Sequence, residues 1–325
     1  MKATALAPSN IAFIKYWGRI DEILRLPTNS SISMNLSGMH TVTTVEFSVK
    51  YERDDVEIDW QKNDRETERI VDHLDRIRNL AKINDRARVV SRNNFPSSTG
   101  LSSSASGFAA LTVSASKAAG LELPEKKLSV LARLASGSAC RSIPDGFVEW
   151  EKGIDGESSY AFSLYASKWW QIADIVVIVS QNKKDMPTTQ GQKLAGTSPF
   201  FKTRLNLINE KIKECKSAIA ERSFLAFGNL IEKEALEMHA IMLTSDPPLI
   251  YWQPATLQMM KLVEKWRKEG LQVYFTVNTG QDIHLICKKD DVERVMVKLR
   301  SLDIVRNIII NYPAKGTRLV KKHLF

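Results

Sequence analysis

The sequence predicts a two-domain α+β protein, and three observations carry that reading. Its 325 residues, 43% hydrophobic and 26% charged, suffice for two hydrophobic cores. The first half is rich in strand patterns and holds a Gly/Ser-rich run, residues 94–107, that feeds directly into an Ala-rich helix pattern. The second half runs three helices, two strands, a helix and a strand, the order of an α+β sandwich. The polar loop at 181–191 is the boundary expected between them, giving domains of residues 1–181 and 182–325.

The elements follow in chain order. Residues 2–7 read as a strand, followed by a loop that contains Asn10 and Lys15. Strands follow at 30–36 and at 41–50, where Val42, Thr44 and Val45 favour an extended chain. Residues 66–81 are a helix, because Ile70, Val71, Leu74, Ile77 and Leu80 recur at helical spacing. A short strand at 88–91 leads into the Gly/Ser run, and the helix beyond it stops at Gly120. A helix at 125–134 is broken by Ser136-Gly137-Ser138. Strands are expected at 147–150, 159–164 and 172–180, the last around the apolar run Ile175-Val176-Val177-Ile178-Val179. Beyond the boundary, helices are expected at 198–221, 224–243 and 254–268. Strands at 272–277 and 283–287, a helix at 292–302 and a strand at 307–311 complete the chain.

Composition narrows the function class. No run of about 20 apolar residues exists, which argues against a transmembrane helix, and the first residues turn polar too soon for a signal peptide. A cytoplasmic enzyme is the class expected. Cys140, Cys215 and Cys287 are widely spaced and odd in number, which argues against a disulfide framework or a zinc site. The five histidines lack metal-ligand spacing. A net charge of +9 suits nucleic acid, an anionic surface or a small polyanion. The basic residues are scattered rather than clustered, so most belong to a solvated surface and a few to an anion site.

The Gly/Ser run is the strongest chemical signal. The first N–H groups of a helix are unpaired, and its dipole adds positive charge there, so a polyphosphate fits. Serine hydroxyls add donors or a metal contact. No lysine follows the glycine as it does in GxxxxGK[ST]. An ordinary capped helix after a loop is the competing reading.

Four separated segments converge on one family: NIAFIKYWG from Asn10 to Gly18, the Gly/Ser run, SGSACRS from Ser136 to Ser142 with GFVEW from Gly146 to Trp150, and YFTVNTG from Tyr274 to Gly280. Together they resemble the mevalonate-pathway decarboxylases of the GHMP kinase superfamily, over nearly the whole chain, with 183–191 similar to that family's loop at the domain junction. The resemblance implies an N-terminal domain like ribosomal protein S5 domain 2 and a ferredoxin-like C-terminal domain. It implies a homodimer, ATP and Mg2+ as cofactors, and a small phosphorylated mevalonate as substrate, with no nucleic-acid or membrane partner. The implied reaction phosphorylates a tertiary 3-hydroxyl, then expels that phosphate and carbon dioxide to leave an alkene.

Residue roles follow from the same resemblance. Lys15, Arg141 and Asn278 are implied as catalytic, with Arg141 holding the substrate carboxylate, a task suited to a guanidinium. Tyr16, Arg19, Arg78, Ser136, Gly137 and Ser138 are implied for substrate binding. Pro96, Gly100, Ser103, Ser104 and Ser106 are implied for the ATP phosphates, with Ser104 as the metal contact. Trp17, Trp150 and His284 read as structural.

One departure stands out. The family usually has an aspartate where this chain has Asn278, and an amide carries no charge and cannot accept a proton. Asp282 lies four residues on. Residues 31–36 and 249–254 look more like the 5-phosphomevalonate branch, giving isopentenyl phosphate, with the 5-diphosphate and isopentenyl diphosphate close behind. An ATP-independent mevalonate 3,5-bisphosphate decarboxylase, a mevalonate 3-kinase and a noncatalytic RNA-binding homologue remain as alternatives.

Overall fold

The computed structural model describes residues 1–59, 64–96, 101, 103–180 and 186–325. The first half of the chain forms β1 (Lys2–Ile14), β2 (Arg19–Asp21), β3 (Leu26–Pro27), β4 (Ser31–Ser48), β5 (Asp55–Ile58), α1 (Asp64–Ala81), β6 (Arg86–Asn93), α2 (Ser103–Ala118), α3 (Glu125–Ala135), β7 (Phe147–Trp150) and β8 (Ala161–Tyr165). The second half forms β9 (Ile172–Ile178), α4 (Thr188–Gly191), α5 (Phe201–Ala220), α6 (Phe224–Leu243), α7 (Pro254–Lys268), β10 (Val273–Thr276), β11 (Ile283–Lys288), α8 (Val292–Arg300), β12 (Asn307–Asn311) and β13 (Arg318–Leu319). Helix and sheet mix as the α+β class expects, and most elements fall within a few residues of their expected positions.

Two sheets organise these elements. The first has the order β13-β1-β4-β6-β5, with β7 joined to β4 and β8 to β7. Its β5–β6 pair is parallel and the rest are antiparallel. One face carries α1 and α2, where Ala3, Ala5 and Ala7 of β1 meet Phe108, Leu111 and Ala115. Small alanines on the strand let the helix approach closely, which the Ala-rich α2 also favours.

The second sheet has the order β10-β11-β9-β12, all antiparallel. Its strand β9 is buried on both faces. Ile172, Val176 and Ile178 pack toward the first sheet, α5 and α6, while Ala173, Ile175 and Val177 pack toward α7 and α8. That two-sided burial explains a continuous apolar run where an amphipathic strand would alternate.

Sheet pairing runs across the expected boundary at 181. Strand β9 precedes it yet lies between β11 and β12, and β13 follows it yet pairs with β1 of the first sheet. The two strands expected at 30–36 and 41–50 are one, the 18-residue β4. Its start pairs with β7, its end with β6, and β1 runs along both halves.

Candidate active site

A cleft of about 140 Å³ opens where segments from both halves meet. Lys15, Tyr16 and Arg19 enter it from the chain leaving β1, where the β1–β4 register shifts between Pro8 and Asn10 and again between Ala12 and Ile14. Such irregularities bend a strand and re-aim its side chains. Ser103 and Ser104 come from the first turn of α2. Ser136, Gly137, Ser138 and Arg141 come from the break after α3 and the 3₁₀ turn Gly137–Ser142. Thr188, Thr189, Gln192, Asn278 and Thr279 close the other side.

Lys15 is 1% exposed, and its Nζ donates to the Ala12 carbonyl at 2.7 Å and to Asn278 Oδ1 at 3.2 Å. Burial pulls its pKa down to about 7, and Arg141 and Arg204 add to the depression against the pull of Glu234. Glu234 faces it from α6 but accepts the Lys15 main-chain N–H at 3.0 Å and is paired with Arg204 and Lys211.

Arg141 is 4% exposed and surrounded by neutral partners. Nη1 donates to Ser31 Oγ at 2.7 Å, Nε and Nη2 donate to Asn10 Oδ1 at 3.4 and 3.3 Å, and the guanidinium lies 5.9 Å from the Trp150 ring. Asn10 is held in turn by donating to Ser142 Oγ at 2.9 Å and the Ser138 carbonyl at 3.2 Å. Tyr16 accepts from Arg19 Nε at 2.6 Å, packs edge-on to Trp150, and has its hydroxyl pKa raised by burial. Gly137 lies against that ring, and a Cβ there would come within 2.9 Å of it. Trp17 and Trp150 are fully buried, as a structural role requires.

Asn278 is placed from behind by His239, whose Nε2 donates to its main-chain carbonyl at 2.9 Å. His239 stacks on Trp252, and burial lowers its pKa to about 3, so it is a neutral imidazole. Among the described residues, no carboxylate lines the cleft. Four basic side chains converge on one space: Lys15, Arg19, Arg25 and Arg141, of which Arg19 is paired with Glu22 at 2.8 Å.

Arg25 was not singled out by sequence. It sits in the β2–β3 connection at φ 51°, donates from Nε to the Leu134 carbonyl at 3.0 Å, and is lowered to about 10 by burial and by Arg19 and Arg69. Its spacing from Arg19 across a short hairpin was the one available signal, and no motif marks it. Thr188, Thr189 and Gln192 are further lining residues not singled out one by one.

Three candidates stand elsewhere. Arg78 is buried under the first sheet, paired with Asp54 and with Asp75 at 2.5 Å, and donates to the Asp85 carbonyl at 2.9 Å. Two of those partners are carboxylates, so its charge is answered within the fold, and it does not line the cleft. Ser106 is buried, bonded to Thr41 Oγ1 at 2.7 Å and donating to the Ser103 carbonyl at 3.2 Å, so it holds α2 to β4. Pro96 is exposed and outside the lining. Gly100 lies outside the described residues. Asp282 is also away from the cleft: its Oδ1 accepts the Val179 N–H at 3.1 Å. His284 is buried and its Nδ1 meets Asp174 at 2.9 Å, a structural pair between β11 and β9.

Comparison with known proteins bears on this arrangement. The diphosphomevalonate decarboxylase-like N-terminal domain matches residues 7–161, and the mevalonate 5-diphosphate decarboxylase C-terminal domain matches residues 174–315. The chain is 35% identical over 312 residues to the diphosphomevalonate decarboxylase of Candida albicans, covering 90% of this chain and 86% of that one. The mevalonate diphosphate decarboxylase of Staphylococcus aureus superposes with a TM-score of 0.94 at 37% identity over 98% of each chain. A structure of MDDEF in complex with MVAPP, AMPPCP and magnesium superposes with a TM-score of 0.93 at 34% identity over 99% of each chain.

Proposed function

The chain belongs to the diphosphomevalonate decarboxylase family of carboxy-lyases, and we propose that it uses ATP to phosphorylate the 3-hydroxyl of mevalonate 5-diphosphate and then releases phosphate and carbon dioxide. The observation that carries this reading is the convergence of Lys15, Arg19, Arg25 and Arg141 on a cleft without a lining carboxylate among the described residues. Such a site is built for a ligand with several negative charges.

The roles follow from placement. Arg141 grips the substrate carboxylate: three of its five N–H donors are bonded to neutral oxygens, which leaves two for a bidentate partner. Arg19 and Arg25, with Ser136, Gly137, Ser138 and Tyr16, hold the 5-phosphate end. Two arginines there favour the diphosphate over the monophosphate. Asn278 faces the 3-hydroxyl and positions it.

Ser103 and Ser104 fit the phosphates of ATP, because hydroxyls at the start of a helix of 16 residues supply donors beside its positive end. Among the described residues no group of three His, Cys, Asp or Glu could hold a metal. Mg2+ would therefore ride on phosphate oxygens with Ser104 as its protein ligand, and supply charge neutralisation during phosphoryl transfer. Arg78 and Ser106 have no part in this reading. A homodimer in the cytoplasm completes it; among the described residues no helix is long and apolar enough to cross a membrane. Light scattering in solution checks the dimer.

The test follows ADP and carbon dioxide together, on the 5-diphosphate and the 5-monophosphate of mevalonate. Equimolar ADP and carbon dioxide, faster from the diphosphate, is the expected result. Asn278 favours one second reading, a mevalonate 3-kinase, because a neutral amide gives a developing carbocation no charge. ADP without carbon dioxide would establish it, and carbon dioxide from the 3,5-bisphosphate without ATP would replace both.

A further inference from the structure

With an amide at position 278, the proton of the 3-hydroxyl needs another acceptor. Three titratable groups lie near enough to consider. Asp282 is turned into the second sheet, accepting the Val179 N–H, and does not line the cleft. His239 sits behind Asn278, with Nε2 bonded to its carbonyl and its ring stacked on Trp252. Lys15 lines the cleft, and its Nζ touches both the Ala12 carbonyl and Asn278 Oδ1. We propose that Lys15 Nζ is the base that takes the 3-hydroxyl proton in this chain. This rests on the functional reading above.

The surroundings favour a neutral amine. A lysine beside a carboxylate would be held charged; here the side chain at 3.2 Å is an uncharged amide. The charged groups around Lys15 were described with the cleft or lie behind it. Glu234 on α6 is already engaged by Arg204 on α5 and by Lys211, Arg141 faces it from the 3₁₀ turn, and Asp174 on β9 acts more weakly. His239 is neutral. With burial the largest influence, Lys15 stands at about 7, where a base is best matched to neutral pH.

The step balances. The Nζ lone pair takes the hydroxyl proton as the hydroxyl oxygen bonds to the γ-phosphorus, and the broken phosphoanhydride bond leaves its electron pair on ADP. The new ammonium lies beside the 3-phosphate. The C3–O bond then breaks with its pair on the departing phosphate, which collects the Lys15 proton. The C1–C2 pair becomes the alkene as carbon dioxide leaves.

The free-enzyme base must be unprotonated, so kcat/KM is retained above the Lys15 pKa and lost as pH falls through about 7. Carbon-13 reductive methylation followed by NMR titration reads Lys15 directly, without turnover. A Lys15 signal titrating near 7 is expected, moving up by at least about one unit in Asn278→Asp. In kinetics, Lys15→Arg puts a permanently protonated group where the amine stood and removes the base, so ADP formation falls about 10²–10⁴-fold. Adding Asn278→Asp to Lys15→Arg should restore part of that loss, and the acid limb should move toward the carboxylate range. A Lys15 signal at about 10, or Lys15→Arg retaining ADP formation within about tenfold, overturns the proposal. If no mevalonate ester yields ADP while Lys15 titrates near 7, the functional reading falls and the neutral amine stands.

Discussion

Arg141 and Arg78 are both buried arginines on the helix-covered face of the same sheet, and they differ in the company they keep. Arg78 meets Asp54 and Asp75, and its charge is answered inside the fold. Arg141 meets Asn10, Ser31 and the Trp150 ring, and no carboxylate answers it among the described residues. A buried charge without a counterion costs several kcal/mol, and a fold that keeps one is holding it for a ligand. The contrast separates structural cations from binding cations better than burial does, because burial is nearly equal at the two positions.

The sharpest test lies just beneath the cleft. Arg204 is paired with the fully buried Glu234. Arg204→Met should lower stability by about 3–5 kcal/mol, because it leaves that carboxylate short of its main partner; denaturant unfolding measures it. Arg141→Met should do the reverse. Its kcat/KM should fall by roughly 10²–10³-fold, matching the loss of a charge-assisted pair, while thermal denaturation shows equal or greater stability. A melting temperature that drops with Arg141→Met would break the distinction.

Arg78→Met should cost about 2 kcal/mol with kcat/KM unchanged. The loss is softened because Asp54 still accepts the Ala87 N–H at 2.7 Å and lies 3.8 Å from Arg86. A graded effect belongs to two buried histidines, one in each half of the chain. His73 against Thr112 and His239 behind Asn278 are both lowered to about 3 by burial. An unfolded histidine binds its proton near 6.5, so the unfolded state holds more protons below that pH. Stability is full above about 6.5 and falls with acidity toward 3, by roughly 1.4 kcal/mol per pH unit for each histidine. Urea midpoints at pH 7 and pH 5.5 check the slope.

Helices and buried strands were legible because their signals are local. The bounds of α6, α7, β7 and β12 agree with hydrophobic spacing to the residue. Strand β4 runs unbroken through Ser37-Gly38-Met39-His40, the stretch between the two strands expected from the sequence. Gly38 serves a close approach: a Cβ there would meet the Ile310 carbonyl at 2.6 Å, a neighbour 272 residues away in sequence. Distant partners likewise hid the fate of Arg78, since nothing around Asp54 announces a bond to α1. In the cleft, the motif residues Lys15, Tyr16, Ser136 and Arg141 line one space. Arg25 did not show itself, because its importance comes from a hairpin that folds it back beside Arg19.

Strand β9 lies at residues 172–178, before the junction loop, and separates β11 from β12 in the second sheet. Recombination with a relative cannot therefore be cut at 181 without handing one parent's central strand to the other parent's sheet. A crossover at 166–171, between β8 and β9, keeps that sheet of single ancestry and leaves the short β13–β1 pairing at the edge of the first sheet to join the two parents.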